Sequence, residues 1–321
     1  MMITKFVRLS RLFMGACALL LFLLAESASA VTIDWVSVGG AGNTADPSGT
    51  GYGAVAQVYR ISKTEVTNGQ YTEFLNAKAA ADPEALYNTS MGSGFGGITR
   101  SGSSGSFAYS AIAGRTDMPV NYVSFYDSLR FSNWLNNGQG SGDTETGAYT
   151  ITALGITNNS ITRNTGANIF LTSEDEWYKA AYYDAVATSY FDYPASSDVG
   201  TACTGPGATA NTANCNSVVG DLTDVGSYTG SASPNGTFDQ GGNVWEWNEA
   251  IVFASRGLRG GGFDDFFLGP VDLAASYRSL NNPTDESFSV GFRVASIPEP
   301  GTGLLLMTGL LGLAIRQRRH A

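Results

Sequence analysis

The sequence predicts an α+β domain that is compact, loop-rich and low in regular secondary structure. Three observations carry this. Glycine is abundant, at 40 of 321 residues, and Tyr and Phe number 15 and 17, so loops with backbone freedom are packed by aromatic side chains. Only three stretches combine a helix-start signal with an apolar face, which limits the helical content. The apolar β-type runs are short and scattered along the chain. No linker or internal repeat divides residues 31–297, a length that suffices for one large core.

The elements follow in order. Lys5, Arg8 and Arg11 precede an apolar run over 12–25, and Ala28-Ser29-Ala30 follows. This predicts a secretory signal peptide over 1–30, since the run is shorter than the about 20 residues a membrane span needs. A strand is predicted over 56–62. Thr67-Asn-Gly-Gln70 forms a capping box, and Tyr71, Phe74 and Leu75 give the helix after it an apolar face. Surface loops rich in Gly and polar residues are expected at 92–105 and 137–147. Between them Ser124-Phe-Tyr-Asp127 opens a second helix, with Phe125, Leu129 and Ser132 on one face and Trp134 and Leu135 beyond. A strand over 169–171 leads to Thr172-Ser-Glu-Asp175, read as the start of a third helix that buries Trp177, Ala180 and Ala181. Glu174, Asp175 and Glu176 lie in its first turn, where negative charge suits the helix dipole. Tyr182, Tyr183, Tyr190, Phe191 and Tyr193 offer either sugar-stacking surface or core packing. Further strands are expected over 257–259 and 289–294.

Cys17 leaves with the signal peptide, and Cys203 and Cys215 bracket a Gly/Ala/Thr/Asn-rich stretch. In an oxidising compartment they are expected to form a disulfide, worth roughly 3 kcal/mol. Copper held by two free thiols is the alternative, but no other soft ligand lies near.

The segment from Gly236 to Trp247 combines Gly241 and Gly242 with the carboxylates Asp239 and Glu246 and the indoles Trp245 and Trp247. Two readings stand side by side. One is a glycine turn entering a buried strand. The other is a site where carboxylates and exposed carbonyls coordinate a hard cation such as Ca²⁺.

Pro298-Glu299-Pro300 is followed by an apolar stretch over 301–315 and by Arg316, Arg318 and Arg319. This tail resembles the PEP-CTERM sorting signal of Gram-negative bacteria. The resemblance implies a transmembrane helix within 298–321, transient inner-membrane anchoring, processing by an exosortase, and delivery to the cell surface or extracellular matrix. Without the two ends, 12 basic residues face 26 acidic ones, so the net charge moves from −10 to −14. A nucleic-acid partner is excluded, because so acidic a chain repels phosphates.

Seven segments in this order resemble the sulfatase-modifying-factor family, whose founding members are the formylglycine-generating enzymes. They are Lys63-Thr-Glu-Val-Thr-Asn-Gly-Gln-Tyr71, Pro119-Val-Asn-Tyr-Val-Ser-Phe-Tyr-Asp127, Asn133-Trp-Leu135, Leu171-Thr-Ser-Glu-Asp-Glu-Trp177, Gly242-Asn-Val-Trp-Glu-Trp247, Leu258-Arg-Gly-Gly-Gly262 and Gly291-Phe-Arg-Val294. The resemblance implies a loop-rich fold related to C-type lectins. It also implies a Ca²⁺ ion held by Asp239, Gly242, Val244 and Glu246, and a second calcium near Asn211 and Asp221.

The family's enzymes oxidise a substrate cysteine with copper on two cysteines. The corresponding positions here are Asp265 and Pro270, and no cysteine lies between Gly260 and Arg293. A related branch binds iron through histidines, but the one histidine, His320, lies in the tail. Neither copper nor iron is therefore expected. Asp264, Asp265 and Asp272 are candidates for acid/base work or, more blandly, a solvated acidic loop; Arg278 is a cleft residue or an ion-pair partner. Two functions result: a non-catalytic binding module for an extracellular glycan or protein, or an enzyme with altered chemistry at Asp264, Asp265 and Arg278.

Overall fold

Capping chemistry sets the helices. The structure, a computed structural model, describes residues 30–48, 51–265 and 269–298. β1 (Trp35–Val38) and β2 (Tyr59–Ser62) lead into α1 (Asn68–Lys78), where the Thr67 hydroxyl accepts the Gln70 N–H at 3.2 Å and the Gln70 side chain accepts the Thr67 N–H at 3.0 Å. A 3-10 turn at Thr89–Gly92 precedes the hairpin of β3 (Ile98–Ser101) and β4 (Ala108–Ala111). α2 (Phe125–Asn136) is capped by Ser124 and Asp127 and buries every residue from Phe125 to Leu135. The short α3 (Ala153–Thr157), β5 (Ile169–Leu171) and α4 (Glu174–Tyr182) follow. β6 (Tyr183–Asp184) pairs with β7 (Ser189–Tyr190), and β8 (Ala202–Cys203) with β9 (Thr212–Ala213). The last strands are β10 (Trp245–Val252), β11 (Ser255–Arg259), β12 (Ser279–Asn281), β13 (Val290–Gly291) and β14 (Val294–Ser296).

Two four-stranded sheets organise these pieces, in the orders β1-β2-β14-β5 and β12-β11-β10-β13. α2 supplies the core between them: Phe131 packs edge-on against Phe74 and Phe292 at 5.4 and 5.3 Å, and Phe125 against Trp247 at 6.1 Å. The disulfide Cys203–Cys215 forms as expected.

Four expectations are corrected. The third helix is capped by Ser173, one residue after Thr172, because it is Ser173 and Glu176 that bond reciprocally. The strand over 56–62 starts only at Tyr59, since residues 56–58 are exposed and unpaired with a neighbouring strand. The stretch 92–105 is not simply a surface loop: it contains β3, whose Ile98 is fully buried. The strand over 289–294 divides into β13 and β14, which belong to different sheets. Gly291 sits at the break, where a Cβ would stand 2.5 Å from the Val120 carbonyl oxygen. Phe292 and Arg293 then pass between the sheets, fully buried.

Among the described residues, no helix is long and apolar enough to cross a membrane. The signal-peptide segment and the apolar stretch over 301–315 lie outside the described residues.

Candidate functional site

The turn before β10 is built from left-handed backbone: φ is 58° at Asp239, 84° at Gly242 and 60° at Asn243. Gly242 is required on two counts, the positive φ and an Asn214 carbonyl oxygen that a Cβ would meet at 2.3 Å. The turn delivers Glu246 into the core, where it is fully buried. Arg293 grips it with two charge-assisted bonds, Nε to Oε2 and Nη2 to Oε1, both at 2.6 Å. Trp177 Nε1 donates a third, to Oε2 at 2.7 Å.

Two more carboxylates share that guanidinium. Asp239 accepts the Gly226 N–H at 2.5 Å, and burial, with Glu246 nearby, pushes its carboxyl up to about 6. Glu65 stands 4.0 Å from Arg293 Nη2, and neither of its oxygens has a hydrogen-bond partner. Burial, then the charge of Asp239, drives its carboxyl well above the usual range. The structure thus brings the predicted Asp239 and Glu246 together, and adds Glu65, Arg293 and Trp177. In the sequence Glu65 and Arg293 stand out only as members of motifs, and Trp177 as a buried residue of the third helix. The signal was present as an unassigned acid in Lys63-Thr-Glu65 and an unassigned base in Gly291-Phe-Arg293.

The donor set suits a hard cation in part. Three carboxylates face one guanidinium, burial raises Glu65 and Asp239, and the Glu65 oxygens are orphaned. Glu246 has about four lone-pair directions, of which Arg293 and Trp177 take three. Against this, no group of three His, Cys, Asp or Glu side chains among the described residues lies close enough to hold a metal by side chains alone. Backbone carbonyls such as those of Gly242 and Val244 would have to complete the shell.

The second acidic group sits just beyond β11. Asp265 accepts the Gly262 N–H at 2.6 Å. An added Cβ at Gly262 would stand 3.2 Å from Asp264 Oδ1 and 3.4 Å from Asp265 Oδ2, so both carboxylates fold back over this glycine. Burial, with Asp264 and Asp272 adding like charge, raises Asp265 to about 6. Burial also raises Asp264 and Asp272, and the Tyr277 hydroxyl bonds to Asp272. The solvated-loop expectation is corrected here: Asp272 is 4% exposed, and Asp264 and Asp265 are half-buried. Pro270 lies in a 3-10 turn, Gly269–Leu273.

Arg278 is an ion-pair partner. Its Nη2 meets Glu174 Oε2 at 2.6 Å, while Arg259 holds Glu174 Oε1 at 2.7 and 2.9 Å. The acids of the third helix therefore do more than settle its dipole: Glu174 clamps two arginines, Glu176 pairs with Arg163 at 2.6 Å, and Asp175 accepts the Gly53 N–H at 2.8 Å. The aromatic stretch is mostly core. Tyr182 and Tyr183 are buried, and the Tyr190 hydroxyl is bonded by Asn43 and to the Thr44 and Gly53 carbonyls. Asn211 spends its amide on the Val199 and Gly200 carbonyls, and Asp221 pairs with Arg115.

Comparison with known proteins agrees with this frame. The PEP-CTERM protein-sorting motif matches residues 296–319, which marks the chain for export, membrane-anchored sorting by an exosortase-dependent route, and surface localisation. No curated protein matches the chain. Among solved structures, CarF is similar at 20% identity and a TM-score of 0.52, covering 84% of this chain and 100% of its own. Treponema denticola variable protein 1 is similar at 17% identity and a TM-score of 0.52, covering 85% and 98%. At these identities the likeness speaks for the fold alone, and it is the loop-rich α+β fold expected. The sulfatase-modifying factor enzyme 1-like domain matches residues 41–297, which span every strand of the two sheets except β1, the four α-helices of the described residues and both acidic clusters, so the chain belongs to the sulfatase-modifying factor family.

Proposed function

We propose that this chain is a surface-sorted binding module, a sulfatase-modifying factor domain that no longer oxidises cysteine and instead holds a glycan or protein of the extracellular matrix. The observation that carries this reading is the fate of the thiols. Asp265 and Pro270 stand at the positions corresponding to the copper ligands, and Cys203 and Cys215 are joined to each other. Copper and iron chemistry of the family's kind needs thiolate or imidazole ligands, and Asp265 offers only a hard oxygen.

A structural Ca²⁺ belongs to the same proposal. Asp239, Glu246 and the carbonyls of Gly242 and Val244 would hold it, and it would neutralise the charge that Arg293 leaves uncompensated.

The second reading, an enzyme with altered chemistry, is favoured by one observation: Asp265, raised to about 6 beside Asp264 and Asp272, titrates close to neutrality, as a general acid or base should. Arg278 contributes little to it, being committed to Glu174.

The test uses the full-length chain in mild detergent. Immobilised, it should retain a glycan or a matrix protein. Incubated with copper, oxygen, a reductant and a Cys-x-Pro-x-Arg peptide, it should leave the peptide unchanged by mass spectrometry. Conversion of the cysteine to formylglycine, or failure to retain any glycan or matrix protein, would overturn the reading.

A further inference from the structure

A cavity of about 410 Å³ opens between the chain's N-terminal segment and the start of α1, apart from the cluster beyond β11. Its lining holds three carboxylates, Asp34, Glu65 and Asp117, together with five hydroxyl residues, and no Lys, Arg or His. Asp34 and Asp117 are exposed at its rim and form no ion pair among the described residues. Glu65 is 1% exposed, lies 4.0 Å from Arg293 Nη2, and neither of its oxygens has a hydrogen-bond partner. A buried carboxylate in that condition is costly unless something supplies a donor.

The start of α1 would ordinarily invite an anion, but its donors are spent. The N–H groups of Asn68, Gly69 and Tyr71 bond the carbonyls of Met118, Thr116 and Thr67, and that of Gln70 bonds the Thr67 hydroxyl. The cavity therefore selects positive charge. A bare metal ion does not fit, since no three carboxylates among the described residues converge closely enough to hold one. The volume lies in the range of small-molecule pockets, about 300–1,000 Å³. Rim hydroxyls such as those of Thr32 and Thr116 suit a ligand that carries hydroxyls of its own, and Ile33 and Val225 give apolar surface for a ring face.

We propose that this cavity binds an amino-sugar unit with a free ammonium group, its charge directed at the rim carboxylates Asp34 and Asp117 above the buried Glu65. The proposal deepens the binding-module reading and rests on it, naming the class of glycan. Calorimetric titration of the full-length chain in mild detergent with a glucosamine tetramer, an N-acetylglucosamine tetramer and spermidine tests it. The glucosamine tetramer should bind, and the other two should bind about tenfold more weakly or worse, because one lacks the charge and the other the hydroxyls. The Asp34→Asn/Asp117→Asn double variant, altered only at exposed positions, should lose about tenfold in affinity with its melting temperature unchanged. No binding of the glucosamine tetramer, equal binding of all three, or an unaffected double variant would each overturn the assignment. Retention of neutral glycans alone would remove this proposal and leave the binding module standing; retention of no glycan or matrix protein would remove both.

Discussion

Glu65, Asp239 and Glu246 gather around Arg293 in the core; Asp264, Asp265 and Asp272 gather beyond β11 with no basic side chain among the described residues. Each group has three carboxylates, and the two differ in how their charge is met. In the first, full burial makes the unpaired charge expensive, so geometry is rigid: Glu246 is locked by three donors, and the two sheets meet at Arg293. In the second, no arginine meets the charge: Asp264 and Asp265 are half-buried, Asp272 is buried, and burial raises all three carboxyls, Asp265 to about 6. Composition does not separate the two groups; the depth of burial and one arginine do.

The sharpest way to break this contrast is to remove the arginine. Arg293→Met keeps much of the side-chain volume but strands Glu246 in the core, which should cost about 3–5 kcal/mol by chemical denaturation, the scale for breaking a buried ion pair. A loss of under about 1 kcal/mol would mean the cluster is neutral by protonation and the contrast is misplaced.

Calcium comes next. An ion bound only by the folded chain adds about 2.7 kcal/mol at a hundredfold excess over its Kd. EDTA should therefore lower the melting temperature, added Ca²⁺ should restore it, and Asp239→Ala should abolish the response. A melting curve indifferent to EDTA, with no calcium by elemental analysis, removes the site.

The pH dependence without metal separates the same possibilities. The folded-state value of Asp239, about 6, lies above its ordinary 3.8, so the unfolded chain gives up this proton more readily. The stability linked to it is fully present below pH 3.8 and is lost as pH rises through 6. In EDTA the melting temperature should thus rise as pH falls from 7 to 5. Asp127 and Asp265 (each about 6) and Glu286 (about 7) act with the same sign, so the share of Asp239 is read from the smaller rise in Asp239→Asn. With saturating Ca²⁺ that share should vanish, and an unchanged pH profile would count against the ion.

The smallest effect is expected at the second cluster. Asp265→Asn keeps an acceptor for the Gly262 N–H while removing a charge, so stability at pH 7 should stay within about 1 kcal/mol of the parent. A drop of several kcal/mol would show that this cluster too is structural, and the distinction drawn here would fail.

Much of the fold was legible beforehand because its signals are local. Thr67 and Gln70, or Ser124 and Asp127, lie three residues apart, and their reciprocal bonds form wherever the rest of the chain goes. The third cap was misread by one residue because Thr172 and Ser173 are both competent; β5 ends at Leu171, and only Ser173 reaches Glu176. The strand β3 inside 92–105 was missed because glycine and serine dominate the segment, while its single strong anchor, Ile98, is buried by distant residues. Of the candidate site, Asp239 and Glu246 were legible from a motif, but their neighbours were not. The solvated character assigned to Asp272 failed for the same reason, since sequence carries no account of what covers a loop.

The sequence by itself therefore determined the first two helix starts, the pairing of Cys203 with Cys215, the ordered family motifs, the sorting tail and the absence of cysteine between Gly260 and Arg293. Tertiary structure alone decided which acids meet a base. It placed Glu65, from the segment between β2 and α1, beside Arg293, from between β13 and β14, and it turned Arg278 onto Glu174. It also split the last predicted strand between two sheets. The physical reason is range. Capping bonds are set by neighbours within one turn, whereas the cost of a buried carboxylate depends on the solvent it has lost and the charge it has found, and both are fixed only when remote segments pack.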